Sequence, residues 1–212
     1  MQRGLEHISG PLGRRKQPFF EPLKPMTLKH VLDDCTSDRD RLLILLRFTA
    51  NLRWTELSYL RLWDLVGSNL GIREWISVPA HAAKDSNARC SVKLPLATRE
   101  AILAFVQDRF LHDKSLPVFP TAFNREKSLW PQSLWRIISD AFRRTGIEVE
   151  DLAKVAKSTY FHYYRHDCKC FDPKVARLIY DIKNLDNSER FFTKPLEGVD
   201  GLAYLPELGR SF

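Results

Sequence analysis

The run LLILLRFTA at 42–50 leaves a folding chain few choices. Ser37 or Asp38 can cap a helix that begins with DRDR, and Asn51 suits the left-handed position at its C-terminal end. Such a helix carries leucine and isoleucine on nearly every side, so it cannot lie on a surface and must be enclosed by other elements. The rest of the chain is therefore read for what could enclose it.

Most of the remaining chain is helical in period. Thr27 can cap a short helix, LKHVLDD, and WTELSYLRL comes directly after the buried helix. A β pattern comes next. Trp75, Ile76 and Val78 mark one strand, Val92, Leu94 and Leu96 alternate along another, and AHAAKDSNAR at 80–89 makes the turn. Helical period returns from Thr98 in REAILAFVQDRF and again over Ser133–Arg144, which ends near Gly146. A polar helix at about 149–157 leads into STYFHYYRHDCKC at 158–170, and Asp172-Pro173 restarts a helix. The expected fold class is mainly α with a small antiparallel β-sheet.

The chain has 212 residues and is 44% hydrophobic, enough for one sizeable core. Residues 1–25 are basic and rich in Pro and Gly and read as a tail; 26–195 read as the folded domain and 196–212 as a C-terminal tail. A formal net charge of +7 favours acidic partners, most simply nucleic acid. No apolar run approaches the roughly 18 residues of a membrane span, and the N-terminus lacks an apolar signal core, so no membrane is expected and the location is read as cytoplasmic. Cys35, Cys90, Cys168 and Cys170 lack the paired spacing of a structural zinc site, and no metal is expected.

One stretch resists a purely structural reading. In STYFHYYRHDCKC, His162 and Arg165 lie one helical turn apart inside a nest of tyrosines. Arg53 lies at a helix junction and Lys84 in the turn between the two strands. Two guanidinium forks can grip the non-bridging oxygens of a phosphodiester, a lysine can give a proton to a leaving oxygen, and a histidine can bond the phosphate. Fixed positive charge of this kind stabilises a pentavalent phosphate. Each residue also has a plainer reading: Arg53 as a helix-junction ion pair with Glu56, Lys84 as a solvated lysine, His162 and Arg165 as a polar helix face.

Taken in order, these residues resemble the tyrosine recombinase (phage integrase) family over about 26–195. NLRWTEL at 51–57 is similar to its first arginine motif, WISVPAHAAKDSNARCSVKLPL to its lysine hairpin, and HYYRH at 162–166 to its H-x-x-R-H box. The resemblance implies Arg53 and Arg165 as phosphate clamps, Lys84 as general acid and His162 as their partner. It implies double-stranded DNA as partner, a homo-oligomer on DNA, and no cofactor. Arg14, Arg15, Lys16, Arg89, Lys183 and Arg190 are candidate backbone contacts, or plain surface charge.

The pattern then departs from the family. Asp181-Ile182 stands where Gly-His is usual, and Phe191-Phe192 where the nucleophilic tyrosine is usual. Phenylalanine has no hydroxyl to attack phosphorus. Three readings remain: Tyr204 serves as nucleophile from the C-terminal segment, Tyr180 does, or cleavage is lost. The function expected is that of a DNA-binding, recombinase- or integrase-like protein that cleaves and rejoins strands through a 3′-phosphotyrosine if active. The alternatives are a non-cleaving DNA-binding accessory protein on the same fold, or a helical interaction module.

Overall fold

The computed structural model describes residues 21–76, 92–107 and 113–167, with side chains described through Tyr160. Helix α1 spans Pro25–Asp33, with Lys24, in extended conformation, as its cap residue. Thr27, expected as the cap, is instead inside the helix. Proline at the first turn explains the earlier start, since its fixed φ suits the helix and its missing N–H loses no bond there.

Helix α2, Asp38–Thr49, begins as expected: the Ser37 hydroxyl accepts from the Asp40 N–H at 3.2 Å. Every side chain from Leu42 to Leu46, and Phe48, is fully buried. Burying each is worth about 1.5–3 kcal/mol relative to exposure. Asn51 ends the segment at φ 48°, a conformation that asparagine tolerates better than other non-glycine residues.

The expected helix over WTELSYLRL is two helices, α3 at Trp54–Tyr59 and α4 at Leu62–Leu65. The chain leaves the helical path at Leu60, whose ψ is 130°. Tertiary bonding explains the break. The Leu60 carbonyl accepts from the Val118 N–H at 3.0 Å and the Leu62 N–H donates to the Leu116 carbonyl at 3.0 Å. Leu60 is thereby buried, and the Asp64 carboxylate recaps the chain by accepting from the Arg61 N–H at 2.8 Å.

Strands β1, Trp75–Ile76, and β2, Val92–Lys93, pair antiparallel, Trp75 opposite Lys93 and Ile76 opposite Val92. Val78 and the turn at 80–89 lie outside the described residues. Leu94 is buried as the alternation requires, but Leu96 is not a strand residue. It starts α5, Leu96–Gln107, and is exposed. Pro95 lacks the N–H that a continuing ladder would need.

Helix α6, Pro131–Arg144, starts two residues before the expected Ser133, again on a proline, and closes at Gly146, φ 69°. Helix α7 runs unbroken over Leu152–Asp167, so the polar segment and the tyrosine-rich segment are one helix. The Asp151 carboxylate accepts from the N–H groups of Ala153 and Lys154 at its start.

Helix α2 is the centre of this arrangement. It packs against α5, α6, α7 and α3. Phe48 stacks on Phe142 of α6 with ring centroids 5.5 Å apart, and the hydroxyls of Thr49 and Thr98 join α2 to α5 at 2.6 Å. The fold is mainly helical with a small antiparallel sheet, and no helix among the described residues is long and apolar enough to cross a membrane.

Candidate functional site

The end of α2 positions Arg53. After the left-handed turn at Asn51 the chain passes through fully buried Leu52 and enters α3, with Arg53 as its cap residue. The Arg53 N–H donates to the Glu56 carboxylate at 2.6 Å. This gives the N-x-R-x-x-E spacing a physical role. Glu56 is buried and satisfies an N–H at the helix start, which an uncapped arginine junction would leave to water. Arg53 itself is half-buried.

Helix α7 carries the second part. The backbone places His162 and Arg165 on one face, one turn apart. The turn before them is pinned. The Thr159 hydroxyl donates to the Val155 carbonyl at 2.7 Å and accepts from the Leu23 N–H at 2.9 Å. Thus the segment entering α1 is tied to α7 three residues before His162. Of the tyrosine nest, Tyr160 is buried, in keeping with a packing role.

Lys84 lies outside the described residues, at the midpoint of the segment 77–91 that joins β1 to β2. Tyr204, Tyr180, Arg14, Arg15, Lys16, Arg89, Lys183 and Arg190 lie outside them as well, as do Asp181-Ile182, Phe191-Phe192 and the helix expected from Asp172. Among the described residues no three His, Cys, Asp or Glu side chains group as metal ligands would.

One residue at this site was not singled out from the sequence. Arg47 lies inside the apolar run of α2 and is buried, only 4% exposed. Its guanidinium donates to the Leu52 carbonyl at 2.7 Å, to the Asn51 side-chain oxygen at 3.3 Å and to the Ala153 carbonyl at 3.2 Å. It lies 4.8 Å from the ring centroid of Trp54, within cation–π range. The available signal was a lone charge in LLILLRF, where an unpaired arginine would be expensive. Trp54 in turn lines a groove of about 920 Å³ between α6 and the start of α7, with Trp135, Phe142, Ile147 and Leu152 among its walls.

No family model matches the sequence, and no curated protein does. Solved structures do match. A XerA recombinase crystal structure superposes with a TM-score of 0.62 at 14% identity, covering 94% of this chain and 65% of that one. A lambda integrase (75–356) dimer bound to a COC′ core site gives 0.57 at 13% identity, covering 88% of this chain and 64% of that one. The chain thus spans slightly less than two thirds of the structures it matches. At such identities the likeness speaks for fold alone, and the fold is that of the tyrosine recombinase catalytic domain.

Proposed function

We propose that this chain binds double-stranded DNA as a site-specific recombinase- or integrase-like protein, gripping a backbone phosphate with Arg53, His162 and Arg165. The observation that carries the reading is where the arginine-bearing elements lie. Arg53 caps a helix at the end of the central helix, and His162 and Arg165 share one face of a helix packed on that same central helix, in a recombinase fold. The surplus of positive charge suits a polyanion partner.

The chemistry rests on the residue types. A tyrosine hydroxyl, that of Tyr204 on this reading, releases its proton to solvent as its oxygen attacks phosphorus and displaces the 5′-oxygen. The two guanidinium groups hold the equatorial oxygens as negative charge gathers on them. Lys84 gives its proton to the leaving oxygen, and the 3′-phosphotyrosyl link keeps the bond energy for rejoining. The reaction needs no cofactor. Two such sites must act together for strand exchange, so the working form is a homo-oligomer on DNA. Arg14, Arg15, Lys16, Arg89, Lys183 and Arg190 are assigned to backbone contact outside the reacting phosphate.

A second reading has its own support. Phe191-Phe192 and Asp181-Ile182 stand where the family's tyrosine and Gly-His are usual, which favours a protein that keeps the phosphate grip without the cut. Covalent trapping separates the two. The protein is mixed with nicked duplex from the sequence flanking its gene, and an adduct surviving denaturation is sought. Cleavage by Tyr204 gives an adduct that maps to it and is lost in Tyr204→Phe. Arg53→Ala, Lys84→Ala and Arg165→Ala abolish that adduct while most binding persists; an equal loss of binding contradicts the site. Binding without an adduct supports the non-cleaving reading. Absence of any salt-dependent DNA binding sinks both and leaves a helical interaction module.

A further inference from the structure

We propose, resting on the phosphate-site reading above, that Arg47 is the positioning residue that holds the Arg53 junction in register with the helix carrying His162 and Arg165. The peptide unit joining Leu52 to Arg53 is gripped at both ends. Its carbonyl accepts from Arg47 at 2.7 Å, and its N–H donates to Glu56 at 2.6 Å. Two bonds on opposite edges of one planar unit fix the direction in which the Arg53 side chain leaves the backbone. The same guanidinium reaches the Ala153 carbonyl in the first turn of α7 at 3.2 Å. One rigid fork therefore spans both elements, which a lysine, with a single nitrogen, cannot do in the same way.

Two further interactions hold the fork itself. Asn51, four residues on from Arg47, takes one of its N–H groups while sitting at φ 48°, so the turn and the fork support each other. The Trp54 ring covers the cation at 4.8 Å. Arg47 is too deeply buried to touch a phosphate. Any effect it has on DNA binding must pass through what it holds.

The test uses the full chain and short duplex DNA, comparing Arg47→Met, Arg53→Ala and the double variant after circular dichroism has shown that each is folded. Two quantities are read. The first is the slope of log affinity against log salt, which falls in magnitude by about 0.9 for each phosphate the protein no longer neutralises. The second is amide hydrogen exchange in peptides covering 51–57 and 151–158. A positioning role lowers the slope magnitude by about one in Arg47→Met, matching Arg53→Ala, with no further drop in the double variant. It also speeds exchange about tenfold or more in both peptides. A loss of stability alone would leave the slope of the folded protein unchanged.

Additive drops in slope, or exchange faster in only one peptide, would overturn the role. A slope lowered by Arg53→Ala but not by Arg47→Met overturns it while sparing the phosphate site. An Arg53→Ala slope equal to the wild type removes Arg53 as a phosphate ligand, and the positioning role falls with it. If Arg47→Met does not fold, Arg47→Lys carries the same comparison, since it keeps the charge and loses the fork.

Discussion

Helices α2 and α6 are nearly the same length and lie side by side, yet they do opposite work. Beyond its first turn, residues 38–41, helix α2 shows almost nothing to solvent. Its side chains from Leu42 to Thr49 are buried on every side, including the one cation among them. Helix α6 buries only Leu134, Ile138, Ala141 and Phe142, at the three-to-four spacing of a single stripe. Its other face exposes Trp135, Arg136 and Arg143. The contrast teaches where precision is to be found in this fold. The residues that set the Arg53 junction hang from the element that cannot move without disturbing all its neighbours. The amphipathic helix supplies a wall on one side and a solvated surface on the other.

That difference is easiest to break at the centre. Leu45→Ala removes a fully buried side chain from the middle of α2 and should cost about 2–5 kcal/mol, read as a lowered urea midpoint. A loss below about 1 kcal/mol would mean that α2 is not enclosed as described. The next effect in size lies under the start of the same helix. Cys35 is buried, its thiol donates to the Val31 carbonyl at 3.3 Å, and burial pushes its pKa from 9.0 up to about 11. The unfolded chain gives up that proton first as pH rises. The thiol's contribution is therefore whole below pH 9 and is lost as pH climbs to about 11. Wild type should lose on the order of 2 kcal/mol more than Cys35→Ala across that window. Parallel stability curves for the two proteins would refute the assignment.

The same physics decides how far these features could be read beforehand. Helix α2, its Ser37 cap and its Asn51 end were legible because each rests on local chemistry: a continuous apolar run, a hydroxyl before the first turn, and an asparagine where φ turns positive. The break at Leu60 was not, because it depends on bonds to Leu116 and Val118, more than fifty residues away along the chain. The misplaced starts at Thr27 and Ser133 share another cause. Both helices start on a proline two residues earlier, where the fixed φ favours the first turn over the hydroxyl cap expected at Thr27 and over the start of the apolar period at Ser133. At the candidate site, Arg53 and the His162–Arg165 pair stand out in the sequence as a motif with spacing. Arg47 was visible only as an oddity, since its partners Leu52 and Ala153 contribute backbone carbonyls, which carry no sequence signature.

The left-handed turn at the end of α2 offers a finer cut. Asn51→Ala forces a Cβ-bearing side chain without local bonding into φ 48° and removes the oxygen that Arg47 meets at 3.3 Å. It should cost about 1–2 kcal/mol. Asn51→Gly removes the same oxygen but accepts the backbone, so it should cost less than alanine. Equal costs would assign the effect to the hydrogen bond and not to the turn.

The smallest expected effect lies on the opposite helix. Arg136 points away from the core on the exposed face of α6, whereas Arg143 pairs with Asp140 at 2.6 Å and Arg144 with Asp34 at 2.9 Å. An exposed cation on such a face contributes little to folding, and even the exposed pairs are worth less than about 1 kcal/mol. Arg136→Ala should therefore change stability by no more than about 0.5 kcal/mol in a urea titration. Set beside Leu45→Ala, it measures how unequal the two neighbouring helices are. A cost approaching that of a buried leucine would mean that α6 is covered on its outer face as well, and that the two helices are more alike than their exposures indicate.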